Sequence, residues 1–142
     1  MKYFTFAELE RSETAQKRKI DNTIPDNIKP NIGALVDNVL DPLRTLWGKP
    51  LIVNSGYRCP ALNKAVGGSK TSQHMSGQAA DIDAGTRADN KALFHLLINS
   101  KLPFDQLIFE AGDIDEGPDW LHISYKSVGR NRRQILYQVW YG

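Results

Sequence analysis

Between residues 31 and 47, apolar side chains fall at Ile32, Leu35, Val36, Val39, Leu40, Leu43, Leu46 and Trp47. That three-and-four spacing lines one face of an α-helix. Pro42 lies inside the run and has no N–H to donate, so a kink is expected there; Gly48 can end the helix, with Pro50 just beyond. Upstream, Thr5 stands three residues ahead of Glu8, a capping-box spacing that predicts a short helix from Phe6. Residues 11–24 are polar and charged, and read as a loop or irregular stretch, with Pro25 and Pro30 punctuating the chain before the long helix.

After Gly48 the pattern changes. Residues 51–53 read as a short buried strand, and residues 60–66 as a short helix with Pro60 early and Gly67-Gly68 at its end. Residues 69–77 are small and polar, hence a loop. Residues 79–83 are a strand candidate whose alternation puts Ala79, Asp81 and Asp83 on one face and Ala80 and Ile82 on the other. Thr86 or Asp89 can cap a helix to about Ser100 with Leu93, Leu96 and Leu97 inward. Strands are expected at 105–110, 120–125 and 134–140, with a loop at 112–118. Helices come mostly first and strands mostly later, which predicts an α+β fold with a largely antiparallel sheet flanked by helices. The 142 residues suit one domain, 1–142, with 1–29 as an N-terminal helix and connecting segment and 30–142 as the core.

Composition narrows the function classes. With 41% hydrophobic and 24% charged residues, the chain belongs with globular rather than disordered proteins. A net charge of +2 is too weak to argue for nucleic acid, and it would not oppose approach to an anionic polymer. Cys59 is the only cysteine, so an internal disulfide and a zinc site needing several cysteines are both excluded. The N-terminal residues lack the apolar core of a signal peptide, and no run is long enough to span a membrane. Synthesis in the cytoplasm is expected, with release by another agent if the site of action lies outside it.

Two of the three histidines sit in informative places. His74 lies in the polar loop, Asp81 comes next on the candidate strand, and His122 lies in a later strand. Two imidazoles and a carboxylate suit a borderline-soft divalent ion, zinc first, and three protein ligands leave a position open, as catalytic sites do. The duller reading has His74 solvated and His122 merely hydrogen-bonded in its strand. Iron oxygenases also use two histidines and a carboxylate, but with the first histidine and the acid two residues apart, not the separation of His74 and Asp81. Asp119, three residues before His122, is the candidate proton acceptor. That offset favours opposite strand faces, so the role requires an irregular backbone after Gly117-Pro118.

The stretch Ser72-Gln73-His74-Met75-Ser76-Gly77-Gln78-Ala79-Ala80-Asp81 resembles the S-x-H-x-x-G-x-A-x-D motif of the zinc D-Ala-D-Ala carboxypeptidases, peptidase family M15, which also includes peptidoglycan endopeptidases. Asp119-Trp120-Leu121-His122 is similar to that family's second motif, and Ser55-Gly56-Tyr57-Arg58 to its substrate-binding segment. Phe104 to Ile108 and Asn131 to Leu136 resemble compact members found in phage and bacterial genomes. The likeness runs over about residues 30–140. It implies a DD-peptidase and Hedgehog type of fold, a single zinc ion on His74, Asp81 and His122, Asp119 as general base, and Arg58 on a substrate carboxylate or carbonyl. It implies a peptidoglycan stem peptide as substrate and action at the cell wall, by a monomer. Carboxypeptidase, L-Ala-D-Glu endopeptidase of the phage endolysin kind and non-catalytic wall-binding module all stay open. Some members carry a further histidine shortly before the last motif; here the neighbourhood reads Glu116-Gly117-Pro118.

Other residues keep two readings. Ser72 and Gln106 either contact substrate or ligands, or serve turn formation and packing. Asp83 either orients a ligand or is exposed. The basic run Arg130, Asn131, Arg132 and Arg133 is a solvated turn or a contact to anionic polymer. Trp120 and Tyr57 either wall the substrate or pack, Cys59 is a small buried side chain, and His95 faces solvent.

Overall fold

The computed structural model describes residues 1–139. The long amphipathic run forms one continuous helical rod in three parts: α3 (Lys29–Leu35), a π turn (Val36–Leu40) and α4 (Asp41–Trp47). The irregularity expected of Pro42 thus sits just ahead of it. Pro42 cannot donate, and its ring would meet the carbonyl of Asn38 in a regular helix. The π turn relieves this: the Asp41 N–H reaches back five residues to the Val36 carbonyl. Gly48, at φ +75°, ends the rod.

The N-terminal capping box behaves as read, with Thr5 Oγ1 accepting from the Glu8 N–H at 3.2 Å at the start of α1 (Phe6–Glu10). Residues 11–24 depart from expectation. They contain a further one-turn helix, α2 (Glu13–Lys17), capped by Ser12 Oγ on the Ala15 N–H at 3.1 Å. It buries Ala15 alone, so no apolar stripe announced it.

The remaining order is β1 (Ile52–Ser55), α5 (Pro60–Ala65), β2 (Ala79–Asp83), α6 (Arg87–Asn99), β3 (Gln106–Glu110), β4 (Trp120–Ser124) and β5 (Gln134–Gln138). The last strand stops at Gln138; residue 140, to which the sequence extended it, lies outside the described residues. The strands make one five-stranded sheet in the order β1-β2-β4-β3-β5. Every pairing is antiparallel except β3 with β5. The fold is α+β with a largely antiparallel sheet, as the pattern implied.

Register decides what each face carries. Asp81 pairs with His122, His122 with Ile108, and Ile108 with Leu136. Period-two alternation then puts Asp81, His122, Trp120, Ile108 and Glu110 on one face. Ala80, Ile82, Leu107, Phe109, Leu121 and Ile123 fall on the other, buried with Leu93, Phe94 and Leu97 of α6 and with the apolar face of α3 and α4. Phe4, Leu9 and Ile24 join that same core from the N-terminal segment. One face of the sheet is thus spent on packing, and the other is left to carry chemistry.

Candidate metal centre

Asp81 and His122 occupy adjacent central strands as a register pair, so their side chains rise together from one face. His122 Nδ1 lies 3.2 Å from Asp81 Oδ1. His74 comes from the 66–78 loop, outside the sheet, and must be brought in by the backbone. Ser72 Oγ accepts from the His74 N–H at 3.2 Å, and the Arg58 N–H donates to the His74 carbonyl at 3.1 Å. Gly77 turns the chain into β2 at φ +69°, where a Cβ would sit 2.7 Å from Ile28 Cγ2 and 2.8 Å from Ile32 Cγ1. The motif glycine is therefore required by a left-handed turn pressed against α3.

The His74 ring is buried, and its Nδ1 lies 2.7 Å from the Gly56 carbonyl. A carbonyl can only accept, so Nδ1 carries the proton and the Nε2 lone pair is free. Nε2 points to Asp81 Oδ1 at 3.4 Å. Nitrogen, nitrogen and oxygen thus converge, all within 4.8 Å of one another. Two of the spacings match the edge of a tetrahedron around zinc with bonds of about 2.0–2.1 Å, which is about 3.3 Å. The donor set fits zinc in number, chemistry and spacing, and the Gly56 carbonyl supplies the orienting contact such histidines need. Burial pushes the Asp81 carboxyl up, but the imidazoles of His122 and His74, which donate to it in their protonated, metal-free forms, outweigh burial and hold the group well below the usual carboxylate range.

The second Asp81 oxygen lies 3.5 Å from Arg58 Nη2. Arg58 is held by Ser55 Oγ on Nε at 3.1 Å and by Asn63 Oδ1 on Nη1 at 3.4 Å. It leans over these three side chains at the edge of an open cleft of about 530 Å³. Ser72 and Gln106 line this cleft too, the latter with its Nε2 on Gln134 Oε1 at 2.8 Å. Trp120 and Ile108 give it apolar wall.

Asp119 does not line the cleft. Its carboxylate accepts from Arg87 Nε at 2.8 Å and from the Gly112 N–H at 3.2 Å, closing the loop between β3 and β4. The irregular backbone that the role requires is present here: Asp119 N–H donates to the Glu110 carbonyl, one residue out of step with the ladder in which Glu110 pairs with Trp120, and Gly117 just before it sits at φ +128°. Glu110, which sequence reasoning passed over, is an acid on the face that carries Asp81 and His122. It pairs with Trp120 and lies diagonally from His122 on the same face, lining the cleft. Burial pushes the Glu110 carboxyl up, the Asp81 charge adds to this, and His122 opposes it. Its signal in the sequence was the alternation Gln106, Ile108, Glu110 on the polar face of a strand whose Leu107 and Phe109 are core.

The other candidates settle elsewhere. Asp83 Oδ1 accepts from the Gly85 N–H at 2.8 Å and Asn90 Nδ2 at 3.0 Å, organising the entry to α6 rather than a ligand. His95 is exposed on α6. Cys59 is half-buried, and its Sγ accepts from the Leu62 N–H at 3.4 Å as the cap of α5. No helix among the described residues is long and apolar enough to cross a membrane.

A family model described as Peptidase M15 matches residues 2–123. A zinc D-Ala-D-Ala carboxypeptidase of Streptomyces albus G is 49% identical over 49 residues, which is 34% of this chain. The aligned stretch takes in 19% of that protein's length.

Proposed function

The chain belongs to the peptidase M15 family, and from that footing we propose that it is a zinc metallopeptidase that hydrolyses a peptide bond in peptidoglycan stem peptides, of the D-Ala-D-Ala carboxypeptidase type. The observation that carries this reading is the convergence of His74 Nε2, Asp81 Oδ1 and His122 Nδ1 at the spacing of zinc ligands. The similarity of a 49-residue stretch to a zinc D-Ala-D-Ala carboxypeptidase supports the substrate class.

His74, Asp81 and His122 would hold one zinc ion. Bound there, zinc supplies Lewis acidity, polarising the scissile carbonyl and easing loss of a proton from water. The chain's own residues do the rest. Glu110 accepts that proton at its carboxylate and returns it to the leaving amine, from a half-buried position lining the cleft. Arg58, positioned by Ser55 and Asn63, donates to a carboxylate or carbonyl of the peptide. Trp120 and Ile108 keep the bond in a partly apolar enclosure. Asp119, with Arg87, holds the β3–β4 loop in shape.

The test is mass spectrometry of defined muropeptides after incubation with zinc-loaded protein. Loss of a terminal D-alanine is expected, and Glu110→Gln should abolish it while zinc stays bound. Cleavage between L-alanine and D-glutamate would instead assign the endopeptidase form of the same chemistry. Binding without any product would contradict the catalytic reading.

A further inference from the structure

The basic run at residues 130–133 is not one surface. Arg133 closes the end of α6, with Nη2 on the Leu97 and Ser100 carbonyls at 3.2 and 2.9 Å and its guanidinium over the Phe104 ring at 4.6 Å. Asn131 closes a turn by exchanging hydrogen bonds with the Lys126 backbone at 2.8 and 3.0 Å. Arg130 is exposed. Arg132 alone of the four lines the metal cleft.

Arg132 is held by a buried anchor. Its Nε and Nη2 donate to the two oxygens of Asp105 at 3.0 and 2.9 Å, and its backbone N–H adds a contact at 3.1 Å. Asp105 is fully buried, and it also accepts from Gln73 Nε2 at 3.2 Å with Lys126 Nζ at 3.7 Å. One carboxylate therefore faces two cations, and this rim of the cleft keeps a positive excess. The Arg132 side chain is nevertheless 50% exposed, and Nη1 has no protein partner among the described residues. A fixed guanidinium with a free edge is a preorganised carboxylate receptor.

Its position relative to Arg58 gives the assignment. Arg58 follows β1 and Arg132 precedes β5, the two edge strands of the sheet, with Asp81 and His122 on strands between them. Two guanidiniums thus flank the cleft. Gln73, Gln106 and Gln138 add amides to the lining, which serve a carboxamide as well as a carboxylate, and the acid on that side is Glu110, the register partner of Gln138.

We propose that Arg132 is a specificity-determining residue that receives a second substrate carboxylate, one internal to the peptide, while Arg58 serves the other end. This rests on the stem-peptide reading above. In a lysine-type stem peptide the internal acid is the α-carboxylate of the γ-linked D-glutamyl residue.

The experiment compares L-Ala-γ-D-Glu-L-Lys-D-Ala-D-Ala with the same peptide carrying an α-carboxamide on D-glutamate. kcat/KM is measured on zinc-loaded protein, and Kd on zinc-loaded Glu110→Gln. The free acid should be favoured by about 10- to 100-fold, chiefly through KM and Kd. Arg132→Gln should erase the preference by weakening the acid alone, and Arg132→Lys should restore part of it. Equal handling of both peptides by the wild type overturns the proposal, and so does an Arg132→Gln loss that falls equally on both. If neither peptide is bound or cut, the substrate reading itself fails and takes this proposal with it, an outcome distinct from equal turnover.

Discussion

His122 Nδ1 and Asp81 Oδ1 lie 3.2 Å apart across two hydrogen-bonded central strands, in direct register. Two of the three donors are therefore fixed by the sheet itself, and only His74 depends on a loop. A site with that construction should survive loss of metal without losing shape, because its largest positional constraint is the ladder rather than the ion.

Metal should stabilise the folded chain through these residues. Zinc at about 100 times its Kd adds about 2.7 kcal/mol to stability, a rise of several degrees in Tm. Calorimetry should show that rise in the wild type and its near absence in His74→Ala and Asp81→Ala. A chelator should return the wild type to its metal-free Tm without unfolding it.

Glu110 and Asp119 should separate cleanly by kinetics. Glu110→Gln should lower kcat by about 10²- to 10⁴-fold with zinc content unchanged. Asp119→Asn should leave kcat within a few-fold, since its contacts are Arg87 and the Gly112 N–H. The reverse pattern, measured on zinc-loaded protein with one muropeptide, would return the base to Asp119.

Gly77→Ala combines two costs. The added Cβ meets Ile28 and Ile32 at contact distances that require movement, and the residue sits at φ +69°. A loss of about 2–4 kcal/mol is expected from overpacking and the left-handed backbone together, read by urea denaturation. Because the same turn carries His74, zinc affinity should fall in parallel.

Asp105 gives the fold an acid-sensitive joint. Hydrogen bonds from Arg132 pull its carboxyl well below the usual range, against the opposing effect of burial. The unfolded chain then binds the proton more readily than the folded one. This contribution to stability is full above the ordinary carboxylate pKa of about 3.9 and drains away as pH falls toward the folded value. Asp105→Asn should cost about 1–3 kcal/mol at pH 7 by removing the charged acceptor of Arg132 and Lys126. The gap between variant and wild type in denaturant melts should narrow below about pH 4.

Much of the site was legible in the chain. The spacing of His74, Asp81 and Gly77 reflects local needs: a loop ligand, a glycine at positive φ and a strand ligand on the open face. The α3–α4 rod was legible because its apolar stripe is long. What escaped depends on partners distant in sequence or on small burial. The α2 helix buries one residue and shows no period. Asp119 was expected at the ligands; the backbone irregularity this required is there, and its carboxylate rests on Arg87 and the Gly112 N–H. The register of β3 against β4, Ile108 on His122 and Glu110 on Trp120, brings Glu110 to the face of Asp81 and His122, and no property of either strand alone contains it. The basic run at 130–133 failed as a unit for the same reason, since each member answers to a different element.

X-ray absorption at the zinc edge, on protein loaded to saturation, tests the centre most directly. One zinc per chain is predicted, with nitrogen and oxygen neighbours at about 2.0–2.1 Å and the outer-shell scattering of two imidazoles, reduced to one in His74→Ala. A sulfur neighbour at about 2.3 Å, or a spectrum that His74→Ala leaves unchanged, would contradict it.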